Sequence, residues 1–305
     1  MRIINYITCL VLASIVFSSC KKDEEVTPLD PNNPGLETPE PDWKMINPVT
    51  LLDLLNIDKI TYSNESGTTV STFHYNSNGK LLKLVEYSKI TSGEVQNEFK
   101  LVYDFVYQND TLIRTMRNMN WHSIFGNNES FSEFNHSLEY SYNINGMIDQ
   151  IRILNDGHED KIVTREYDIH NRLIKQIIAK DLEILTNYYE WDGNNLVKST
   201  DYHKIKTEDR ISKEAFYTDY DNKNNPLCFM SIIEQNNISD YLSQNNVIKG
   251  SGKSYYVHDD QAGELAGEWS NDYSYEYNIN GQVTKTFNLY NGIITSQKTV
   301  SIEYK

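Results

Sequence analysis

The chain has 305 residues, with 28 basic against 43 acidic side chains and a formal net charge of −15. So acidic a surface repels phosphate backbones and anionic headgroups, which argues against nucleic acid as a partner and leaves membrane association to a lipid. Three cysteines leave little room for disulfides, whereas 22 tyrosines suit half-buried strands.

Met1 and Arg2 precede an apolar run over residues 3–17, then Ser18-Ser19-Cys20. The run is shorter than the roughly 18–20 residues that cross a hydrocarbon core. Small residues directly before a cysteine are what a bacterial lipoprotein signal peptidase requires. The reading is a signal peptide over 1–19 and a lipid-bearing Cys20. Cys9 leaves with the peptide, so Cys228 is the other cysteine of the mature chain.

Residues 20–45 read as the lipidated cysteine and a tether. Five prolines (Pro28, Pro31, Pro34, Pro39, Pro41) and many acids stiffen this segment and give it too little apolar area to offset its ordering entropy. Residues 46–305 then form one domain. Asn47 before Pro48, with leucines following, predicts a short helix over 47–55.

From Tyr75 onward one pattern recurs: an aromatic, an Asn- or Asp-rich turn, then apolar residues. It reads YNSNGKLLKL at Tyr75, YQNDTLIRTM at Tyr107, YNINGMIDQI at Tyr142, YDIHNRLIKQ at Tyr167, WDGNNLVKST at Trp191, YDNKNNPLCF at Tyr220 and YNINGQVTKT at Tyr277. The first six starts lie roughly 24–35 residues apart, room for two strands and two turns each. Asn, Asp and Gly serve because tight hairpins need positive φ. Tyr273, Tyr275 and Tyr277 share one face by strict alternation, and Val283, Phe287 and Leu289 are expected to continue an apolar face interrupted by Lys285. Ile294, Val300, Ile302 and Tyr304 repeat the arrangement. The fold class is therefore all-β: an antiparallel hairpin-repeat meander forming a curved sheet or barrel-like domain, with one or two short helices. The wide gap between Tyr220 and Tyr277 holds a candidate helix starting at Ser239-Asp240-Tyr241-Leu242-Ser243.

YDIHNRL at Tyr167 resembles the YD repeats of Rhs-type proteins, with Asn171 in place of the usual Gly. With the NNPL segment at Asn224, SQNNVI at Ser243 and YEYNINGQVTK at Tyr275, the chain resembles a Bacteroides-type surface lipoprotein family of unknown function with a porin-like β fold. That resemblance implies a curved or barrel-like sheet and carries over no catalytic residue. It also implies that Lys21, Lys22, Asp23, Glu24 and Glu25 act as an export tag to the outer leaflet of the outer membrane.

Enzyme signatures are sparse. Gly250-Ser251-Gly252-Lys253-Ser254 lacks the first glycine of a phosphate loop, Val247 standing in its place, so a flexible Gly-Ser turn is expected. The seven histidines (His74, His122, His136, His158, His170, His203, His258) have no zinc spacing, and no metal or cofactor is expected. Asp259, Asp260, Glu264 and Glu268 match no calcium loop and read as a solvated acidic stretch. Cys228, between Leu227 and Phe229, reads as a buried small hydrophobe. Trp121, Trp191 and Trp269 are candidate ligand-contact aromatics, since their faces suit sugar rings, although cross-strand packing is the commoner use. A membrane-spanning barrel is disfavoured by charges on both faces of strands, as in Lys80-Leu81-Leu82-Lys83-Leu84-Val85-Glu86. The expectation is an outer-membrane-anchored, surface-facing lipoprotein, a non-enzymatic binding or structural module whose partner is a glycan or another envelope protein. The alternative is a carbohydrate-binding or glycan-processing envelope protein.

Overall fold

The computed structural model describes residues 56–305 apart from 65, 93–94, 126–127, 206–207, 234–237, 258–262 and 291–292. The residues expected to form a signal peptide, a tether and the 47–55 helix lie outside the described residues.

Sixteen antiparallel strands follow one another as a meander, and the last pairs with the first to close a barrel. They come as eight hairpin units: β1 (Ile57–Asn64) with β2 (Gly67–Tyr75), β3 (Leu81–Ser92) with β4 (Val95–Gln108), β5 (Thr111–Phe125) with β6 (Asn128–Tyr142), and β7 (Ile148–Asn155) with β8 (His158–Tyr167). The other four are β9 (Leu173–Lys180) with β10 (Glu183–Asp192), β11 (Asn195–Ile205) with β12 (Glu208–Asn224), β13 (Asn245–Tyr255) with β14 (Leu265–Tyr277), and β15 (Val283–Tyr290) with β16 (Ile293–Tyr304). Every unit starts and finishes at one end of the barrel, the near end. Asn56 and Lys305 meet there, the Lys305 N–H donating to the Asn56 carbonyl at 2.9 Å.

The recurring sequence pattern builds this near end. In four of its turns an Asn or Asp carboxamide or carboxylate oxygen accepts two backbone N–H groups. Asn76 takes those of Asn78 and Lys80, Asn143 those of Asn145 and Met147, Asp168 those of His170 and Arg172, and Asn278 those of Asn280 and Gln282, all at 2.9–3.0 Å. The fourth turn residue sits at positive φ: Gly79, Gly146, Asn171 and Gly281. Asn171 can replace glycine because asparagine tolerates the left-handed region.

The aromatic that closes each unit clasps the carbonyl at that unit's start. Tyr75 donates to Ile57, Tyr107 to Leu81, Tyr142 to Leu112, Tyr167 to Ile148 and Trp191 to Leu173. Tyr220 donates to Leu196, Tyr275 to Val247 and Tyr304 to Val283. The eighth clasp, at Tyr304, lies on the strand that closes against β1 and is missed by a search for aromatic-plus-turn repeats. In the seventh unit Tyr275 takes the carbonyl, and Tyr277 donates instead to the Asp221 carboxylate.

A bulge accompanies most clasps. The register slips between His74 and Tyr75, Val106 and Tyr107, Ser141 and Tyr142, Glu166 and Tyr167, Glu190 and Trp191, and Glu276 and Tyr277. An extra residue in the facing strand puts core side chains three apart rather than two, as at Leu81 and Leu84 or Ile148 and Ile151, all buried. This corrects the strict alternation expected in β15: Val283 and Thr286 are buried, and the Phe287 position lies on the face of Lys285.

A sixteen-stranded barrel is wide enough to hold a water-filled channel. Here the described parts of the β12–β13 connection, 225–233 and 238–244, fill that space. The connection carries α1 (Met230–Ile233) and α2 (Ser239–Leu242), the latter at the predicted place. Leu227, Phe229, Met230, Ile232, Ile233 and Tyr241 join one core with inward residues from most of the wall. Phe229 meets Phe73 edge-on at 5.8 Å between centroids. The plug is stitched at its base: Asn194 donates to Gln244 at 2.7 Å, and the Leu196 N–H to the Ser243 hydroxyl at 3.0 Å.

The outward face is charged. Cross-strand pairs include Lys59–Glu303, Lys83–Asp104, Lys89–Glu98, Lys175–Glu166, Lys253–Glu268 and Lys285–Glu276 at 2.5–3.2 Å. Arg114, Glu139, Arg152 and Glu159 form a continuous chain over β5–β8. Apolar residues inside and ion pairs outside reverse the sidedness of a barrel whose wall meets lipid, where a single Lys or Arg at the midplane costs about 2–4 kcal/mol.

The Gly-Ser segment is also corrected. Residues 250–254 are not a turn but the middle of β13, paired on both sides. Its glycines make room for aromatic rings: a Cβ on Gly250 would stand 2.5 Å from the Tyr273 hydroxyl, and one on Gly252 2.5 Å from the Trp269 ring.

Candidate binding surfaces

Two polar regions remain once the core is accounted for. The first is a row across the inner wall, where the register aligns Arg165, Gln176, Asn187, Asp201 and Lys213 on β8–β12. Arg165 donates from Nε to Gln176 at 2.9 Å and from a terminal nitrogen to the Ser231 carbonyl of the plug at 2.7 Å. Asn187 donates to Asp201 at 2.6 Å. Arg165, Gln176 and Asn187 are buried, and through its bond to Ser231 Arg165 ties the row to the plug.

Glu86 is a second inward polar group, buried on β3 and accepting from the Ser71 hydroxyl at 3.0 Å. Burial raises its carboxyl above the ordinary range, partly offset by Ser71 and the Arg117 charge. An acid with a raised folded-state pKa contributes its stability below the unfolded value and loses it as pH rises through the folded value. The wild type should therefore lose stability relative to Glu86→Gln as pH climbs from about the ordinary 4.5. Urea unfolding of both proteins at several pH values measures this; a gap that stays constant with pH refutes the buried-charge account.

The second region is a trough of about 480 Å³ on the outer face of β3–β6. Two cross-strand rows build it. One is Tyr87, Lys100, Asn120 and Glu133; the other is Glu98, His122 and Phe131. The His122 and Phe131 rings stack at 4.2 Å with 6° between planes, and Tyr87 and Phe131 are exposed. Glu98 is held below the usual carboxylate range by the Lys89 ammonium at 2.6 Å and by the Tyr87 hydroxyl, while His122 lies 3.4 Å from Glu129. The trough thus presents aromatic surface, an ionised carboxylate, an amide and a lysine. This set can stack on and hydrogen-bond a polar ring, and Glu98 is poised as an acceptor rather than a proton donor.

The three tryptophans are dispersed. Trp121 borders the trough, but the register puts it with Phe99 and Ser132 on the opposite, inward side of the wall, where its ring stacks on Phe99 at 6.1 Å. Trp191 is a near-end clasp and Trp269 packs over Gly252. Tyr87, His122 and Phe131 were not singled out from sequence. The signal that could have found them is their common outward parity once β3–β6 are put in register. Cys228 is half-buried beside a near-end hollow of about 420 Å³, and desolvation pushes its thiol up to about 12, far from a reactive thiolate. Asp259, Asp260 and His258 lie outside the described residues. Glu268 pairs with Lys253 at 3.2 Å, and among the described residues no cluster is arranged to hold a metal ion. Cys20 and the residues 21–25 also lie outside them.

No protein-family model matches the chain, and no curated protein matches it. Among solved structures it is similar to a porin-like protein from Bacteroides uniformis, at 13% identity and a TM-score of 0.49 over 82% of this chain and 97% of that one. A porin-like protein from Bacteroides vulgatus is similar at 13% identity and a TM-score of 0.41, over 82% and 98% respectively.

Proposed function

We propose that this chain is an outer-membrane lipoprotein, anchored through Cys20 and facing the cell exterior, whose barrel stands in water as a non-enzymatic binding module. The observation that carries this is the sidedness of the wall. Ion pairs cover the outside and the plug fills the inside, an arrangement that favours a folded scaffold over a lipid-embedded pore. The membrane link then falls to the lipid, for which Ser18-Ser19-Cys20 is the signal, and Asp23, Glu24 and Glu25 serve as the tag that directs the protein outward.

The experiment is fatty-acid labelling of cells expressing the wild type and Cys20→Ser. Label is expected on the wild type alone, with the variant uncleaved or released; label persisting on Cys20→Ser refutes the anchor. A carbohydrate is the favoured ligand class, because Tyr87 and Phe131 present exposed aromatic surface beside Asn120, Lys100 and Glu98 in one trough. Oligosaccharides should bind the wild type and lose about five- to thirtyfold in affinity to Phe131→Ala, the loss of roughly 1–2 kcal/mol that ring contact supplies. Equal affinity of the two proteins moves the site elsewhere.

A further inference from the structure

We infer that the near end of the barrel rests on a lipid bilayer surface through three isoleucines of the repeated turns. Ile144, Ile169 and Ile279 occupy the same place, directly after the bonding Asn or Asp, in three of the four matching turns. Their exposures are 101%, 87% and 101%, so each side chain stands clear of the protein. Nothing in the fold requires isoleucine there: the equivalent residue of the first turn is Ser77, and the turn is held by Asn76 and Gly79. Single exposed apolar residues are ordinary; what sets these three apart is the same residue at the same turn position, repeated at one end of the barrel.

The position of the chain ends says what they meet. Residue 56 sits at this same end, so the segment that leads back to Cys20 enters the barrel here. A lipid on Cys20 therefore tethers the domain by its near end; the inference rests on the anchor proposed above and adds an orientation, which the isoleucine contacts rather than the roughly 35-residue tether would set. Isoleucine tips entering the headgroup and acyl boundary supply the second, weak signal that a lipid anchor uses to hold a domain in one pose. Turn cations suit the same boundary: Lys80 bonds Asp110, and Arg172 bonds Asp168 and Gly193. The trough and the far-end hairpins then point away from the bilayer.

The test separates orientation from anchoring. The mature chain carries a polyhistidine segment in place of Cys20 and is tethered to phosphatidylcholine–phosphatidylethanolamine vesicles containing a nickel-chelating lipid, in a Cys228→Ser background. An environment-sensitive fluorophore is placed through single cysteines at 144, 169 or 279, or at Leu182, an equally exposed residue in a far-end turn. Emission should rise about twofold at the three near-end sites and be quenched by nitroxide-labelled lipid, with no change at 182. No rise at any site, or a rise at 182, overturns the inference even where Cys20 is lipidated in cells. A rise at the near-end sites in a protein whose native Cys20 bears no lipid leaves the surface standing and removes the anchor.

Discussion

Phe229→Ala should lower unfolding free energy by about 3–5 kcal/mol, the cost of deleting a fully buried aromatic that the surroundings cannot collapse to replace. Phe229 has no solvent exposure, meets Phe73 edge-on and sits in the plug, which is packed among inward side chains of opposite walls. A closed wall cannot contract around the gap because its circumference is set by sixteen hydrogen-bonded strands. Denaturant unfolding followed by circular dichroism measures the loss. A change below about 1 kcal/mol means the plug is marginal to stability and the wall folds without it.

Gly252→Val should also be damaging, by about 3 kcal/mol, the upper end of the usual cost, for the opposite reason of overpacking. A Cβ there would lie 2.4 Å from the Glu214 carbonyl oxygen and 2.5 Å from two Trp269 ring atoms. The carbonyl belongs to the neighbouring strand, so relief requires the β12–β13 pairing to separate. The companion Trp269→Ala removes the ring but leaves the carbonyl. If the double variant recovers most of the loss, the ring is the main obstacle; if Gly252→Val unfolds no more easily than the wild type, the close approach is absent. Either protein is read by thermal unfolding.

The repeat was legible because it is written in local chemistry. An aromatic followed by Asn or Asp and a residue able to take positive φ specifies a hairpin wherever it occurs, and the turns at 76–80, 143–147 and 278–282 stand where that chemistry puts them. The short helix at Ser239 was legible from its own residues too. Misread were features that depend on a second strand. The bulge beside Glu276 and Tyr277 moves Thr286 inward and Phe287 outward, and no alternation count on one strand can register a residue added opposite another. Gly250 and Gly252 read as a loop because glycine usually marks one; only the rings of Tyr273 and Trp269 across the pair explain glycine inside a strand.

By itself, the sequence determined the class of fold, the hairpin period and the acidic exterior, and it holds the Ser18-Ser19-Cys20 segment on which the anchor proposal rests. These depend on residues near one another in the chain, or on composition alone. The tertiary structure decided that the meander closes, that Leu227 to Ile233 and Tyr241 of the β12–β13 connection turn inward to plug it, and that Tyr87, His122 and Phe131 share a trough. Closure joins residue 57 to residue 304, and the plug meets strands far from it in sequence. Such contacts are selected by the sum of buried area and satisfied hydrogen bonds over the whole barrel, a quantity no short segment carries.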